Sequence, residues 1–158
     1  MKLNIRKTKQ GDLEELQQLF VGSIATVCKL DYNPEQIKVW TSSVADHERW
    51  SKIISNQIVL VAMGHNRIVG FVTLKNGNHI DLFYVHKDYQ RQGIAYELHQ
   101  QVEMHAREND HRDLTSDVSI TARPFFERMG YKILKEQTVF RQGMEFVNFK
   151  MKKKLNNE

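Results

Sequence analysis

Cysteine and proline are scarce in this chain, which has one cysteine and two prolines among its 158 residues. With Cys28 alone, no disulfide can form within the chain, as is usual for a protein of a reducing compartment. Its position in an apolar stretch predicts a small core residue rather than a reactive thiol. No group of cysteines and histidines has the spacing of a zinc site, so we expect no bound metal.

Long hydrophobic runs are also missing. No apolar stretch approaches the roughly 20 residues that cross a bilayer, and the polar start, MKLNIRKTKQGD, is unlike a secretory signal. We therefore expect a cytoplasmic protein without membrane contact. Repeats, low-complexity segments and linkers rich in proline or serine are absent, which predicts one domain over residues 1–158.

Charge of one sign is not dominant, since the net charge is +4. Part of it lies near the end, at Lys150 and at residues 152–154, which we interpret as a solvated tail. Contact of this tail with nucleic acid is the alternative, but no aromatic or groove-reading motif supports it, so nucleic acid is not favoured as a partner. A modest positive balance suits a polyanionic ligand.

Hydrophobic periodicity, which is the primary signal of secondary structure, predicts alternating strands and helices. Asp12 is the expected N-cap of the first helix, and Asn33 with Pro34 opens the second. The helix that begins at Ala95 has an apolar stripe of Ile94, Leu98 and Val102, which His105 could extend. The predicted strands are 2–7, 58–62, 68–74, 79–85, 113–119, 131–140 and 145–151, with a hairpin turn at 64–66, and the predicted helices are 12–24, 34–40, 46–54, 95–109 and 122–129.

This order of elements indicates an α+β domain, or a three-layer α/β one, with a mixed, largely antiparallel sheet flanked by helices. The most informative stretch is HIDLFYVHKDYQRQGIA at 79–95, where a strand leads through a glycine-containing loop straight into a helix. The free amides and dipole of such a helix start form an anion site. Gly93 permits close backbone approach and Arg91 adds a permanent positive charge, so a pyrophosphate fits here. An ordinary strand–loop–helix connection is the alternative.

Several motifs together resemble the GNAT superfamily of N-acetyltransferases. QRQGIA at 90–95 is similar to the family's Gln/Arg-x-x-Gly-x-Gly/Ala signature, and the preceding LFYVHKDY is similar to its fourth strand and following turn. ARPFFERMGY at 122–131 and RIVGF at 67–71 resemble two further blocks, in the family order, over about residues 55 to 151.

The resemblance implies a splayed sheet that admits the pantetheine arm of acetyl-CoA between its fourth and fifth strands. The pyrophosphate would bind the loop at 90–95, and backbone groups of Phe83 to Val85 would pair with the pantetheine. The cofactor-binding residues implied in this way are Phe83, Tyr84, Val85, Gln90, Arg91, Gln92, Gly93, Ile94, Ala95, Ser119 and Phe126.

Attack on a thioester requires a neutral amine, whereas an alkyl amine is mostly protonated near neutral pH, so a base is needed. His79 and Asp81 lie two residues apart on a predicted strand, and alternation places them on one face together with Phe83. Family members commonly have a base at the matching positions, so His79 and Asp81 are the candidate catalytic residues, acting through water. Purely structural hydrogen bonds by either side chain are the alternative.

Two positions depart from the family pattern. Phe126 stands where the family's tyrosine usually serves as general acid, and Ser119 stands where an asparagine is common. Other tyrosines are conceivable substitutes, but none is distinguished by its position: Tyr32, Tyr84, Tyr96 and Tyr131, of which we interpret Tyr131 as a core residue. Since a thiol of pKa about 8.5 leaves tolerably as thiolate, the missing hydroxyl does not exclude catalysis.

The acceptor cannot be identified from the sequence. The resemblance implies that the first two helices form one wall of the acceptor cleft, where Tyr32 and Trp40 are candidate substrate-binding residues, alongside Trp50. The leading hypothesis is transfer of an acetyl group from acetyl-CoA to a primary amine by direct attack in a ternary complex. A catalytically weak acyl-CoA sensor or partner module is the alternative, and a homodimer stays open.

Overall fold

The computed structural model describes residues 1–155, which form a seven-stranded sheet with helices on both faces. The strands follow the order β1-β2-β3-β4-β5-β7-β6, and only β4 and β5 pair in parallel. The predicted α+β class with a mixed, largely antiparallel sheet is therefore confirmed. The strands are β1 (Asn4–Lys7), β2 (Ile58–Gly64), β3 (Arg67–Lys75), β4 (His79–Val85), β5 (Asp113–Ser119), β6 (Lys132–Arg141) and β7 (Met144–Lys154), and the α-helices are α1 (Leu13–Val27), α2 (Pro34–Ser42), α3 (His47–Asn56), α4 (Ile94–Glu108) and α5 (Arg123–Arg128).

The lysines near the end of the chain are not a solvated tail, so that prediction is wrong. They belong to β7, which pairs with β5 on one side and with β6 on the other. Lys153 bonds to Glu103 of α4, and Lys152 lies 3.3 Å from Asp113 of β5. Alternation of lysines with Met151 and Phe149 fits a half-buried strand better than a chain end. In residues 1–155, no helix is long and apolar enough to cross a membrane.

Each face of the sheet carries its own hydrophobic cluster. The α1–α3 face packs apolar side chains of α1 and α3, such as Phe20 and Trp50, against Phe71 and Leu82 of the sheet. The α4–α5 face packs α4 and α5 against the opposite side of the same strands. Two layers of helices thus cover the two faces of one sheet, each over its own hydrophobic cluster.

Gly70 of β3 allows α4 to lie close to the sheet. A Cβ built at this position would lie 2.8 Å from Ile94 Cγ2 and 3.2 Å from Leu98 Cδ1, so any side chain would push the helix away. The predicted apolar stripe of α4 is present, but it continues through Ala106. The expectation for His105 is wrong, because that side chain is half-exposed and His99 is the buried histidine instead.

A β-bulge interrupts β4 at Asp81 and Leu82. Phe83 pairs with Val72 and Ile80 with Leu74, so two residues of β4 lie opposite the single residue Thr73. The extra residue shifts the alternation, and the prediction that Phe83 shares a face with Asp81 is wrong. Phe83 packs on the α4–α5 face, whereas Asp81 reaches α3 on the other face.

The two expected N-caps differ in outcome. Asn33 accepts from the Gln36 amide, and the Gln36 side chain accepts from the Asn33 amide, which completes a capping box before Pro34. Asp12 occupies the cap position but makes no capping bond. Its carboxylate binds the Arg6 guanidinium at 2.8 Å, which together with the Lys9 amide holds its pKa at about 2.

Candidate active site

The sheet splits between β4 and β5, and the split opens a large cavity. The two strands pair only at His79 with Thr115 and at Ile80 with Ser116. Beyond Ile80 they diverge, and a cavity of about 1040 Å³ is lined by residues of both strands. We call the half towards α4 and α5, where the pyrophosphate is expected, the cofactor half, and the half towards α1, α2 and α3, where the acceptor is expected, the acceptor half.

The cofactor half ends at the loop before α4. Gly93 adopts φ +80°, a left-handed conformation that favours glycine, and no heavy atom lies within 4 Å of a Cβ built there. The first turn of α4 presents amides that have no intrahelical acceptor, at the positive end of the helix dipole. Arg91, Gly93, Ile94 and Ala95 line the cavity, whereas Gln92 is exposed and lies outside its lining. This arrangement can hold a pyrophosphate.

Gln90 fastens this loop to β4. Its side-chain amide donates to the Val85 carbonyl at 2.8 Å and to the His86 carbonyl at 3.3 Å. The Val85 carbonyl therefore already has a hydrogen-bond donor. The backbone groups that remain for a pantetheine arm are those on the open edge of β4 before Val85. Gln90 lines the cavity, and its side chain positions the loop through these two hydrogen bonds.

The positions that depart from the family pattern are structural here. Phe126 is 3% exposed and packs its ring 4.9 Å from Tyr131 and 6.1 Å from Phe83. The Ser119 hydroxyl accepts from the Ala122 amide at 3.1 Å and so holds the start of α5. Both residues line the cavity, and the Phe126 side chain offers it no hydroxyl.

The other tyrosines are unequal as proton donors. Burial raises the pKa of Tyr84, whose ring packs 4.9 Å from Phe20. Tyr131 bonds to buried His99 at 2.8 Å and is a core residue, as predicted. Tyr32 has a raised pKa, first because it is buried, and Tyr96 is exposed in the first turn of α4.

Only one of the two candidate bases reaches the cavity. Asp81 lines it and accepts from Gln57 Nε2 at 2.8 Å, with Arg49 Nη2 3.7 Å from its other oxygen. His79 lies at the closed end of the split and is absent from the lining. Its ring bonds to the Thr115 hydroxyl at 2.8 Å and lies 3.8 Å from Asp117.

The acceptor half has an aromatic wall. The Tyr32 hydroxyl donates to the Val147 carbonyl and accepts from the Ile120 amide, both at 3.0 Å, so it ties the region before α2 across the split. Trp40 is half-buried, and its ring lies 5.2 Å from that of Tyr32 and 6.4 Å from that of Phe146. Cys28 is buried as predicted, and desolvation raises its pKa to about 11.

The sequence did not point to Arg49, Gln57 or Asn148 as site residues. Arg49 and Gln57 come from α3 and the residue after it, and both surround Asp81. Asn148 lines the cavity on β7 with a buried Oδ1 that has no hydrogen-bond partner within residues 1–155. Arg49 and Gln57 are distinguished only by their contacts with Asp81, which lies on β4 far along the chain. No motif in the sequence around either residue indicates these contacts.

Comparison with known proteins identifies the family of this chain. The family model of the acetyltransferase (GNAT) domain matches residues 28–154. The chain belongs to the GNAT acetyltransferase family. It is 34% identical over 152 residues to the uncharacterized N-acetyltransferase YafP of Escherichia coli (strain K12), covering 96% of each chain.

Solved structures extend this similarity. A GCN5-related N-acetyltransferase from Rhodopseudomonas palustris shares 32% identity and a TM-score of 0.94, over 98% of this chain and 97% of that one. The PaiA N-acetyltransferase from Thermoplasma acidophilum, in complex with coenzyme A, has a TM-score of 0.78 at 18% identity, over 98% of this chain and 100% of that one. The latter similarity concerns the fold. The family and the splayed fold that the motifs implied are thus confirmed.

Proposed function

We propose that this GNAT protein transfers the acetyl group of acetyl-CoA to a primary amine by direct attack in a ternary complex. The observation that carries the proposal is the single cavity that joins the α4 loop at Gly93 to the carboxylate of Asp81. One end offers backbone amides to a pyrophosphate, and the other offers a base to an amine. A thioester between them would meet both substrates.

The proposed reaction is one transfer of an acetyl group together with the removal of one proton from the amine. The amine nitrogen forms a bond to the acetyl carbon, the carbon–sulfur bond breaks, and the sulfur keeps the electron pair. Asp81 accepts the amine proton, directly or through water, and passes it to solvent. Gln57 donates to one carboxylate oxygen of Asp81 at 2.8 Å, which restricts the orientation of that carboxylate.

His79 has a different part in this proposal. Because its ring bonds Thr115 at the closed end of the split, it keeps β4 and β5 together there and takes no proton from substrate. The departing sulfur has no tyrosine hydroxyl near Phe126, so it leaves as thiolate or takes its proton from water.

Calorimetric titration with acetyl-CoA, followed by a thiol-release assay of the same sample against a panel of amines, tests the proposal. We expect binding, and release with at least one class of amine. Binding without release from any amine would favour an acyl-CoA sensor instead. Failure to bind acetyl-CoA would contradict the proposal as a whole.

A further inference from the structure

An ion pair is open to the acceptor half of the cavity. Arg49 Nη2 lies 3.7 Å from Asp81 Oδ1, with side chains 35% and 25% exposed. Hydrogen bonds of this kind have donor–acceptor distances near 2.9 Å. The two charged groups therefore attract each other but do not form a hydrogen bond. Both residues line the cavity.

The Arg49 guanidinium has N–H groups that form no hydrogen bond within residues 1–155. A guanidinium carries five N–H groups in a planar fork. Among residues 1–155, Asp81 is the only ion-pair partner of Arg49, and none of its guanidinium donors makes a hydrogen bond. Its backbone amide donates to the Asp46 carboxylate, which caps the start of α3.

We infer that the acceptor is an α-amino acid, a primary amine with a carboxylate on the adjacent carbon. This inference rests on the proposed function of the site. The α-amine would face Asp81 and the α-carboxylate would bind the Arg49 fork, which suits a carboxylate in two-point contact. One carbon separates the two groups of the ligand, which matches two side chains whose charged atoms are 3.7 Å apart.

The atoms of the reaction are unchanged by this choice of acceptor. The α-nitrogen forms the new bond to the acetyl carbon, the carbon–sulfur bond breaks, and CoA leaves as the thiol or thiolate. The amine proton passes to Asp81, while the carboxylate on Arg49 takes no part. The product is an N-acetyl amino acid.

Charge argues against an acceptor that lacks the carboxylate. A simple amine or a lysine side chain approaches as a cation and would compete with Arg49 for Asp81, without an anionic group of its own to face the guanidinium. The remainder of an amino acid has an apolar place to go, since Trp40, Phe146 and Val139 line the same half of the cavity. Apolar side chains are therefore the ones expected at the α-carbon.

The test uses two sets of matched amines with acetyl-CoA and thiol release. One set is L-phenylalanine, L-phenylalaninamide and phenethylamine, and the other is L-leucine, L-leucinamide and isoamylamine. Each set keeps the side chain and varies only the carboxylate. Wild type is compared with Arg49→Met, so that differences in intrinsic reactivity between the amines cancel in the ratio.

We expect wild type to favour the amino acids at least tenfold in kcat/KM over their decarboxylated amines. Arg49→Met should remove that preference by raising KM for the amino acids, and Arg49→Lys should restore part of it. Acetyl-CoA affinity should be unchanged. Arg141→Met, at another arginine that lines the cavity, should keep the preference and serves as the control.

Three outcomes would overturn the inference. Equal loss of kcat for all members of a set would mean that Arg49 acts only through Asp81. A preference for the decarboxylated amines would exclude a carboxylate subsite. Release of CoA by other amines but by no member of either set would contradict the amino-acid acceptor while leaving the proposed acetyltransferase intact. Failure of the proposed function is distinct, since it would abolish release with every amine.

Discussion

The two halves of the cavity are built differently. The cofactor half is made mainly of backbone, from the loop that Gln90 fastens to β4 and the first turn of α4. The acceptor half is made of side chains, with Asp81 from β4, Arg49 from α3 and Trp40 from α2. A backbone site tolerates many different side chains, whereas under the proposed function each side chain of the acceptor half would affect the choice of acceptor.

This contrast explains why the family is easy to recognise and the substrate is not. A backbone cradle requires glycine at Gly93 and a close helix start, which leaves a contiguous trace in the sequence. An acceptor site assembled from three elements leaves no such trace. Changes in the two halves should therefore separate acetyl-CoA binding from turnover.

The largest effect is expected in the acceptor half, from Asp81→Asn. Loss of the base should lower kcat on the order of 10²- to 10⁴-fold with the amine that gives thiol release in wild type. Acetyl-CoA affinity, measured by calorimetry, should stay within error. Asp31→Asn is the matched control, because Asp31 lines the same cavity but bonds to Thr121. An unchanged kcat for Asp81→Asn would exclude it as the base.

The next effect concerns stability on the α4–α5 face, where α4 buries His99. Burial lowers its pKa to about 4 from an ordinary 6.5, and its Nε2 bonds the Tyr131 hydroxyl. Between these values the unfolded chain binds the proton and the folded chain does not. The contribution of neutral His99 to the free energy of unfolding should thus be fully present above pH 6.5. It should be lost as the pH falls towards 4, which lowers the free energy of unfolding by about 3 kcal/mol.

Urea unfolding from pH 7 to pH 4 measures this loss. His99→Gln keeps a partner for Tyr131 but does not titrate, so its stability should change less over the same range. His86, whose pKa burial also lowers, is common to both proteins and cancels in the difference. His105→Gln, on the same helix, should behave as wild type. Parallel curves for wild type and His99→Gln would contradict the prediction.

The sequence was sufficient for the fold because most elements have strong local signals. The predicted bounds of β4 and β5 coincide with those observed, and Asn33 with Pro34 indicated the start of α2. Two errors arose where tertiary structure overrides local pattern. The bulge at Asp81 depends on the pairing of β4 with β3, and the continuation of β7 through residues 152–154 depends on its pairing with β5.

The site was predictable in proportion to how local it is. The pyrophosphate loop at Gly93 could be proposed from six consecutive residues, because the backbone amides of a helix start would supply the anion site. His79 and Asp81 could not be ranked, since only the divergence of β4 from β5 decides which reaches the cavity. Arg49 could not be found at all, because its contact with Asp81 joins positions that share no motif.

A smaller effect is expected in the cofactor half from Gly93→Val. A β-branched residue in the left-handed conformation costs about 1–2 kcal/mol, so the loop should relax and acetyl-CoA affinity should fall roughly fivefold to thirtyfold. Gly143→Val is the matched control: it has φ +78° and an open Cβ position, but lies in the β6–β7 turn. Both variants should lose similar stability, and only Gly93→Val should lose affinity. Equal affinities would contradict the pyrophosphate site.

The smallest effect is expected from Gln90→Leu, which tests whether this side chain acts on the cofactor directly. Removal of its bonds to the Val85 and His86 carbonyls should lower the free energy of unfolding by about 1 kcal/mol, because one donor is lost at a half-buried site. Acetyl-CoA affinity should fall only a few-fold, through a looser loop. Gln92→Leu is the control, since that side chain is exposed and outside the cavity lining. A loss of affinity as large as that of Gly93→Val, without loss of stability, would instead mean that the Gln90 side chain contacts the cofactor.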